Sequence, residues 1–128
     1  MSFFHWRHIP ALVEATGKSL GGLTPFFNPA GAIRAYGLPE HIAASPAAQV
    51  CIAIYGSRDT VLGLATWVFY LRGQLRAVDT IMALLLYTGA VDAYICWKQG
   101  QVGTAWFRGL IGTFFGIWGL MGLTARRT

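Results

Sequence analysis

The stretch "QVCIAIYGSRDTVLGLATWVFYL" (residues 49–71) decides how the chain is read. Its flanks are apolar enough for a membrane interior, yet Arg58 and Asp59 sit side by side near its centre. About 20 residues of helix, rising about 1.5 Å each, cross a hydrocarbon core about 30 Å thick. No proline or turn cluster divides the stretch, so it reads neither as a loop interrupting a strand nor as two short helices. It is one helix with a polar centre.

Composition agrees with that reading. Of 128 residues, 12% are charged and 55% apolar, whereas soluble domains average about 25% charged. So few charges cannot cover a soluble surface, and the length suits a single domain, residues 1–128. The net charge of +5 is scattered along the chain, mainly at the ends of apolar runs. This is a topology signal and excludes nucleic acid as the expected partner. The first 25 residues contain Arg7, His8, Pro10, Glu14 and Lys18, which is unlike a cleavable leader.

The expected fold is all-α, an integral membrane four-helix bundle in the lipid bilayer. Its spans are residues 2–24, 47–71, 77–97 and 104–123, the first being marginal because it carries Glu14, Lys18 and several glycines. Residues 25–46 form a long loop whose prolines and glycines exclude one continuous helix. A short interfacial helix is expected at residues 30–36, and the loop reads equally as a connector or as a lid. With four crossings, Arg7, Arg72, Arg76, Arg126 and Arg127 share one side, against Arg34 and Lys98 on the other. Both termini are therefore expected in the cytoplasm. Trp6, Trp67, Tyr70, Trp97 and Trp106 lie near span ends, where amphipathic rings anchor.

Gly109, Gly112, Gly116, Gly119 and Gly122 recur every three or four residues. Small residues at this spacing let helix backbones approach closely in lipid, so the stripe reads as a packing seam. It would serve either the bundle or a homo-oligomer. Gly17 and Gly21 repeat the pattern weakly.

An Arg or Asp at a helix centre costs about 2.5–3.5 kcal/mol on insertion scales, so Arg58 and Asp59 must face protein or water. They are about 100° apart around the helix and need separate partners. If the second and third spans form an antiparallel hairpin, Arg58 lies at the depth of Asp92 and Cys51 at that of Cys96. Arg108 could then reach Asp92 or Asp59 from the fourth span, and Glu14, with Lys18 one turn later, approaches the same level. Asp79 reads as an interfacial salt bridge to Arg72 or Arg76. The cysteines read as free thiols or, in an oxidising compartment, as a disulfide. His5, His8 and His41 do not form a metal-ligand set, and nothing resembles a phosphate-cradling loop, a nucleophile elbow, a haem attachment motif or a dinucleotide fingerprint. No cofactor and no metal are expected.

The core "GSRDTVLGLA", with Gly56, Arg58, Asp59, Leu62 and Gly63, follows "RAYGLPE" and precedes an aspartate in the next helix. This pattern, over roughly residues 29–118, resembles a family of small four-helix integral membrane proteins of filamentous fungi catalogued as a domain of unknown function. The resemblance implies the fold and a membrane location, in the endoplasmic reticulum if the source is eukaryotic. Some family members lie among genes for natural-product pathways, which implies a lipophilic small-molecule substrate.

The expected function is a cofactor-free acid–base step, such as isomerisation, cyclisation or epoxide opening, on a lipophilic polyketide or terpenoid. Two carboxylates around an arginine suit that work, because a nearby cation favours an ionised base and burial favours a protonated acid. The candidate catalytic residues are Arg58, Asp59 and Asp92, with Tyr55, Arg108, His41, Glu40 and Glu14 as substrate-binding candidates. The alternatives are a non-catalytic membrane scaffold or binding protein, and an oligomeric transporter or ion-conducting subunit.

Overall fold

Helices start and stop here where the local chemistry requires. In the computed structural model, which describes residues 5–126, Ser45 caps the long central helix, its hydroxyl accepting from the Ala48 amide, and Pro46 occupies the first turn. That helix ends at Leu71, and Gly73, at φ 73°, turns the chain into the next one. Gly100, at φ 81°, does the same one helix later. Glycine takes this left-handed conformation without the Cβ penalty that other residues meet.

The resulting order is α1 (Ile9–Gly21), α2 (Thr24–Phe27), α3 (Pro29–Tyr36), α4 (Glu40–Ala43), α5 (Pro46–Leu71), α6 (Leu75–Lys98) and α7 (Val102–Leu120), preceded by a 3₁₀ turn at Trp6–His8. The described residues are all-α and contain no strand. The short helix expected at residues 30–36 is α3. The first expected span is shorter than its prediction: residues 1–4 lie outside the described residues, and α1 has 13 residues, about 20 Å of rise. Among the described residues α6 alone is both long and apolar enough to cross a membrane.

The four longer helices pack as two close pairs, α1 with α5 and α6 with α7. Glycine makes both pairs. A Cβ on Gly112 would lie 2.7 Å from the Gly89 Cα, and one on Gly63 would lie 2.5 Å from the Ala15 carbonyl oxygen. Gly56 meets the Gly22 carbonyl, and Gly119 meets the Asp79 carbonyl. Along α7 these glycines thus meet α6 of the same chain. Gly17 and Gly21 have nothing near them and belong to no seam.

The pairs join at one end through a core of Ala11, Tyr70, Val78, Met82, Leu85 and Phe115. There the His8 ring and the Tyr70 hydroxyl are hydrogen-bonded at 2.9 Å, and the Trp118 indole donates to the Arg7 carbonyl. Asp79 belongs to this end but is not the expected surface salt bridge. It is 4% exposed, and its carboxylate accepts from the Thr124 and Ala125 amides. An aspartate facing the end of α7 finds backbone donors there, which spares it a long arginine side chain.

At the other end residues 25–46 fold back over the bundle. Asn28 caps α3, and Gly37, at φ 108°, ends it against Thr104 of α7. Arg34 grips Glu40 through two hydrogen bonds of 2.7 and 2.8 Å, fixing α3 to α4, and this contact holds the Glu40 carboxyl below its ordinary range. Cys51 and Cys96 are both free, Cys51 exposed and Cys96 buried against the Tyr36 carbonyl.

Candidate functional site

The expected contact of Arg58 with Asp92 does not form. Arg58 lies on an exposed face of α5, its guanidinium donating to the Ile54 carbonyl of its own helix at 3.2 Å. The reason is the helix pairing. Although a tight turn joins α5 to α6, the small residues Gly56, Thr60 and Gly63 of α5 seat it on α1. That choice points Asp59 inward and, about 100° around the helix, leaves Arg58 outside. We expect Arg58→Gln to change stability by no more than about 0.5 kcal/mol. A melting experiment showing a loss above about 1 kcal/mol would contradict this placement.

Asp59 meets Lys18 at 3.0 Å, and Lys18 also reaches Glu14 one helical turn back at 3.3 Å. One lysine thus holds two carboxylates between α1 and α5. Nearby, the Thr60 hydroxyl donates to the Ser19 carbonyl and the Trp67 indole to the Thr16 hydroxyl, which sets the register of the pair.

Asp92 sits in a second cluster, built from three elements. Its carboxylate accepts a hydrogen bond from the Tyr36 hydroxyl of α3, and its other oxygen lies 3.5 Å from the Arg108 guanidinium of α7. Arg108 also stacks over the Tyr36 ring at 4.0 Å and donates to the Tyr36 carbonyl at 2.7 Å. Tyr55 meets the Tyr36 ring edge to face at 5.8 Å. Burial pushes the Tyr36 hydroxyl's pKa well above the usual tyrosine value; its bond to Asp92 and the charge of Asp92 add to the rise, while Arg108 opposes it. Tyr36 is therefore a phenol that keeps its proton.

Two hollows flank this cluster. A cavity of about 170 Å³ lies between α1 and the α6–α7 pair, with Glu14, Lys18, Asp92 and Arg108 in its wall. Against Tyr36 lies an apolar cleft of about 250 Å³, lined also by Ile33, Leu38, Ile42, Cys51, Ile52 and Tyr55. Tyr36 is a wall of the cleft, and its hydroxyl is bonded to a wall of the cavity. Glu40 and His41 take no part: both are exposed, and Glu40 is held by Arg34.

Of the residues singled out from sequence, the structure brings Asp92, Arg108 and Tyr55 together around Tyr36, and Asp59 with Glu14 around Lys18. Arg58, Glu40 and His41 stand apart. Tyr36 was missed as a site residue. Its signal was a phenol directly before a helix-ending glycine, in a loop facing three apolar spans, but its partner lies 56 positions further along the sequence.

These features define an all-α protein of two glycine-sealed helix pairs, with ionisable side chains between them and an apolar cleft beside them. The chain belongs to the family described as Domain of unknown function (DUF4267), whose model matches residues 15–122. No curated protein and no solved structure matches it.

Proposed function

We propose that this protein is embedded in a membrane and performs a cofactor-free acid–base step, such as isomerisation, cyclisation or epoxide opening, on a lipophilic small molecule of polyketide or terpenoid type. The membrane part is supported by α6 and by the outward faces of the bundle. Leu64, Leu84, Leu110 and Leu120 are all more than half exposed, and exposed apolar side chains of this kind suit acyl chains better than water. Arg58, exposed in the middle of α5, interrupts this exterior and must lie against water or headgroups. The basic end carrying Arg72, Arg76 and Arg126 would face the cytoplasm, by the preference of Lys and Arg for that side. In a eukaryotic host the endoplasmic reticulum is the expected membrane.

The observation that carries the catalytic part is the bond between Tyr36, in the wall of the apolar cleft, and Asp92, backed by Arg108. A lipophilic ketone in the cleft would place its oxygen at the Tyr36 hydroxyl, which turns from Asp92 to donate to it. Asp92 lines the charged cavity and not the cleft, so the substrate would have to reach past the Tyr36 ring. Asp92, released from that bond, would then take the proton from the carbon beside the carbonyl of a β,γ-unsaturated ketone, leaving an enol held by the Tyr36 hydroxyl. Return of the proton to the γ carbon shifts the double bond. Arg108 neutralises the carboxylate and fixes the phenol. Asp59, already held by Lys18, is a structural charge in this scheme, and Arg58 has no part in it.

The second reading is a binding or scaffold protein. It is favoured by the ion pairs: Lys18 and Arg108 partner the carboxylates Glu14, Asp59 and Asp92, which is what locking helix pairs requires. The two readings separate on exchange of α-protons. Purified protein in deuterated buffer, given a panel of lipophilic ketones, is expected to incorporate deuterium into at least one. Tyr36→Phe and Asp92→Asn are each expected to cut the rate by about a hundredfold, the lower range for a general acid or base. Exchange that is absent, or unchanged in folded variants, would leave the binding reading.

A further inference from the structure

The basic end of the bundle holds more than a count of positive charges. Four described arginines gather there: Arg7 before α1, Arg72 at the end of α5, Arg76 in the first turn of α6, and Arg126 after α7. The carboxylate among them, Asp79, is turned inward and held by two backbone amides. The Arg7 guanidinium donates to the Arg126 carbonyl and so fixes the backbone of that segment. Between the α5–α6 turn and the segment after α7 lies a polar basin of about 1020 Å³, and Arg76 and Arg126 stand in its wall with Gln74, Thr80 and Asp79, the last 4% exposed with its carboxylate taken up by the Thr124 and Ala125 amides. Both arginines are exposed, and neither forms a salt bridge with a described carboxylate.

We propose that this basin binds a phosphate-bearing anion, with the Arg76 and Arg126 guanidinium groups on its oxygens. Guanidinium is the side chain best matched to phosphate, since its planar fork donates two parallel hydrogen bonds to one group. The Gln74 amide adds a neutral donor. The positive end of the α6 dipole lies at the same place and has the right sign. A volume of this size takes a phosphate with its glycerol and headgroup, and the basin opens at the end of the bundle where an anionic phospholipid of the facing leaflet would present one. A water-soluble phosphate would satisfy the same donors. The inference is independent of the catalytic scheme, because none of its residues belongs to the Tyr36 cluster.

Native mass spectrometry of the detergent-solubilised protein tests it, with phosphatidylglycerol and phosphatidylcholine titrated in parallel. Wild type is expected to bind phosphatidylglycerol in preference to phosphatidylcholine. Arg76→Gln/Arg126→Gln is expected to weaken phosphatidylglycerol by about thirtyfold, at roughly fivefold per arginine. Arg34→Gln/Lys98→Gln, which removes the same charge from the opposite end, is expected to retain the preference. Release of the lipid by excess inorganic phosphate would identify the free anion as sufficient, and retention would identify the lipid headgroup as the ligand. If the double variant does not fold, Arg76→Lys keeps the charge but loses the fork, and is expected to weaken phosphatidylglycerol severalfold. Undiminished binding by a folded Arg76 variant, or equal loss from the Arg34/Lys98 variant, would overturn the proposal.

Discussion

Gly112→Leu is expected to yield no monodisperse protein, and Gly112→Ala to lose about 1–3 kcal/mol of stability, the usual cost of overpacking a filled interior. A Cβ at position 112 would come within 2.7 Å of the Gly89 Cα, and one at 89 within 2.8 Å of the Gly112 Cα. Each obstacle is backbone in the middle of a helix, which cannot rotate out of the way as a side chain does. The α6 and α7 axes would have to separate, and their separation would also move Asp92 and Arg108. The control is Gly17→Ala, on a helix position with nothing near the added methyl. There the only change is helix propensity, so stability should stay level or rise by up to about 1 kcal/mol. Thermal melts of the two alanine variants decide the matter: equal tolerance at positions 17 and 112 would mean that α6 and α7 do not meet at these glycines.

Arg108→Met is the second large effect, with an expected loss of about 3 kcal/mol. That is the low end for breaking a buried ion pair, appropriate because the Arg108 and Asp92 side chains keep 25% and 18% of their exposure. For a chain of this size it corresponds to a fall in melting temperature of roughly 10 °C. Arg108 ties three elements together: it faces Asp92 of α6, stacks on the Tyr36 ring and holds the Tyr36 carbonyl at the end of α3. Arg108→Lys should recover only part of the loss, since an ammonium cannot supply a planar group to the ring and a fork to two acceptors at once. Arg108→Met/Asp92→Leu should be more stable than Arg108→Met alone, because removing both charges leaves none buried without a partner. A single variant that melts within about 2 °C of wild type would show that the cluster contributes little to holding α3 in place.

Much of the architecture was legible in the linear pattern. Apolar length and the scarcity of charge gave the helices α5, α6 and α7, and Ser45, Pro46, Gly73 and Gly100 mark their ends through capping and turn chemistry that acts within a few residues. The glycine stripe of α7 identified a close packing face, because spacing at three and four residues is a property of one helix alone. The first helix was overextended, since Gly21 and Gly22 end it before the expected span is complete. What failed was the assumption that helices joined by a tight turn are each other's main partners. The turn between α5 and α6 fixes only their ends, while pairing is decided by which surfaces allow the closest backbone approach.

From that one difference the misplaced site residues follow. Matching depths across an α5–α6 hairpin put Arg58 beside Asp92; with α5 seated on α1 instead, Asp59 found Lys18 and Arg58 was left on the outside. Tyr36 reached Asp92 because α2, α3 and α4 fold the long loop back over the bundle, and no local pattern records where such a loop lands. The sequence by itself determined the helical class, the approximate extent of α5, α6 and α7, the scarcity of charge and the concentration of arginine at one end, all consequences of local propensity and composition. Only the tertiary structure decided which charges meet, because a helix fixes the angle between its own side chains and leaves the choice of neighbour to the packing of glycine against backbone.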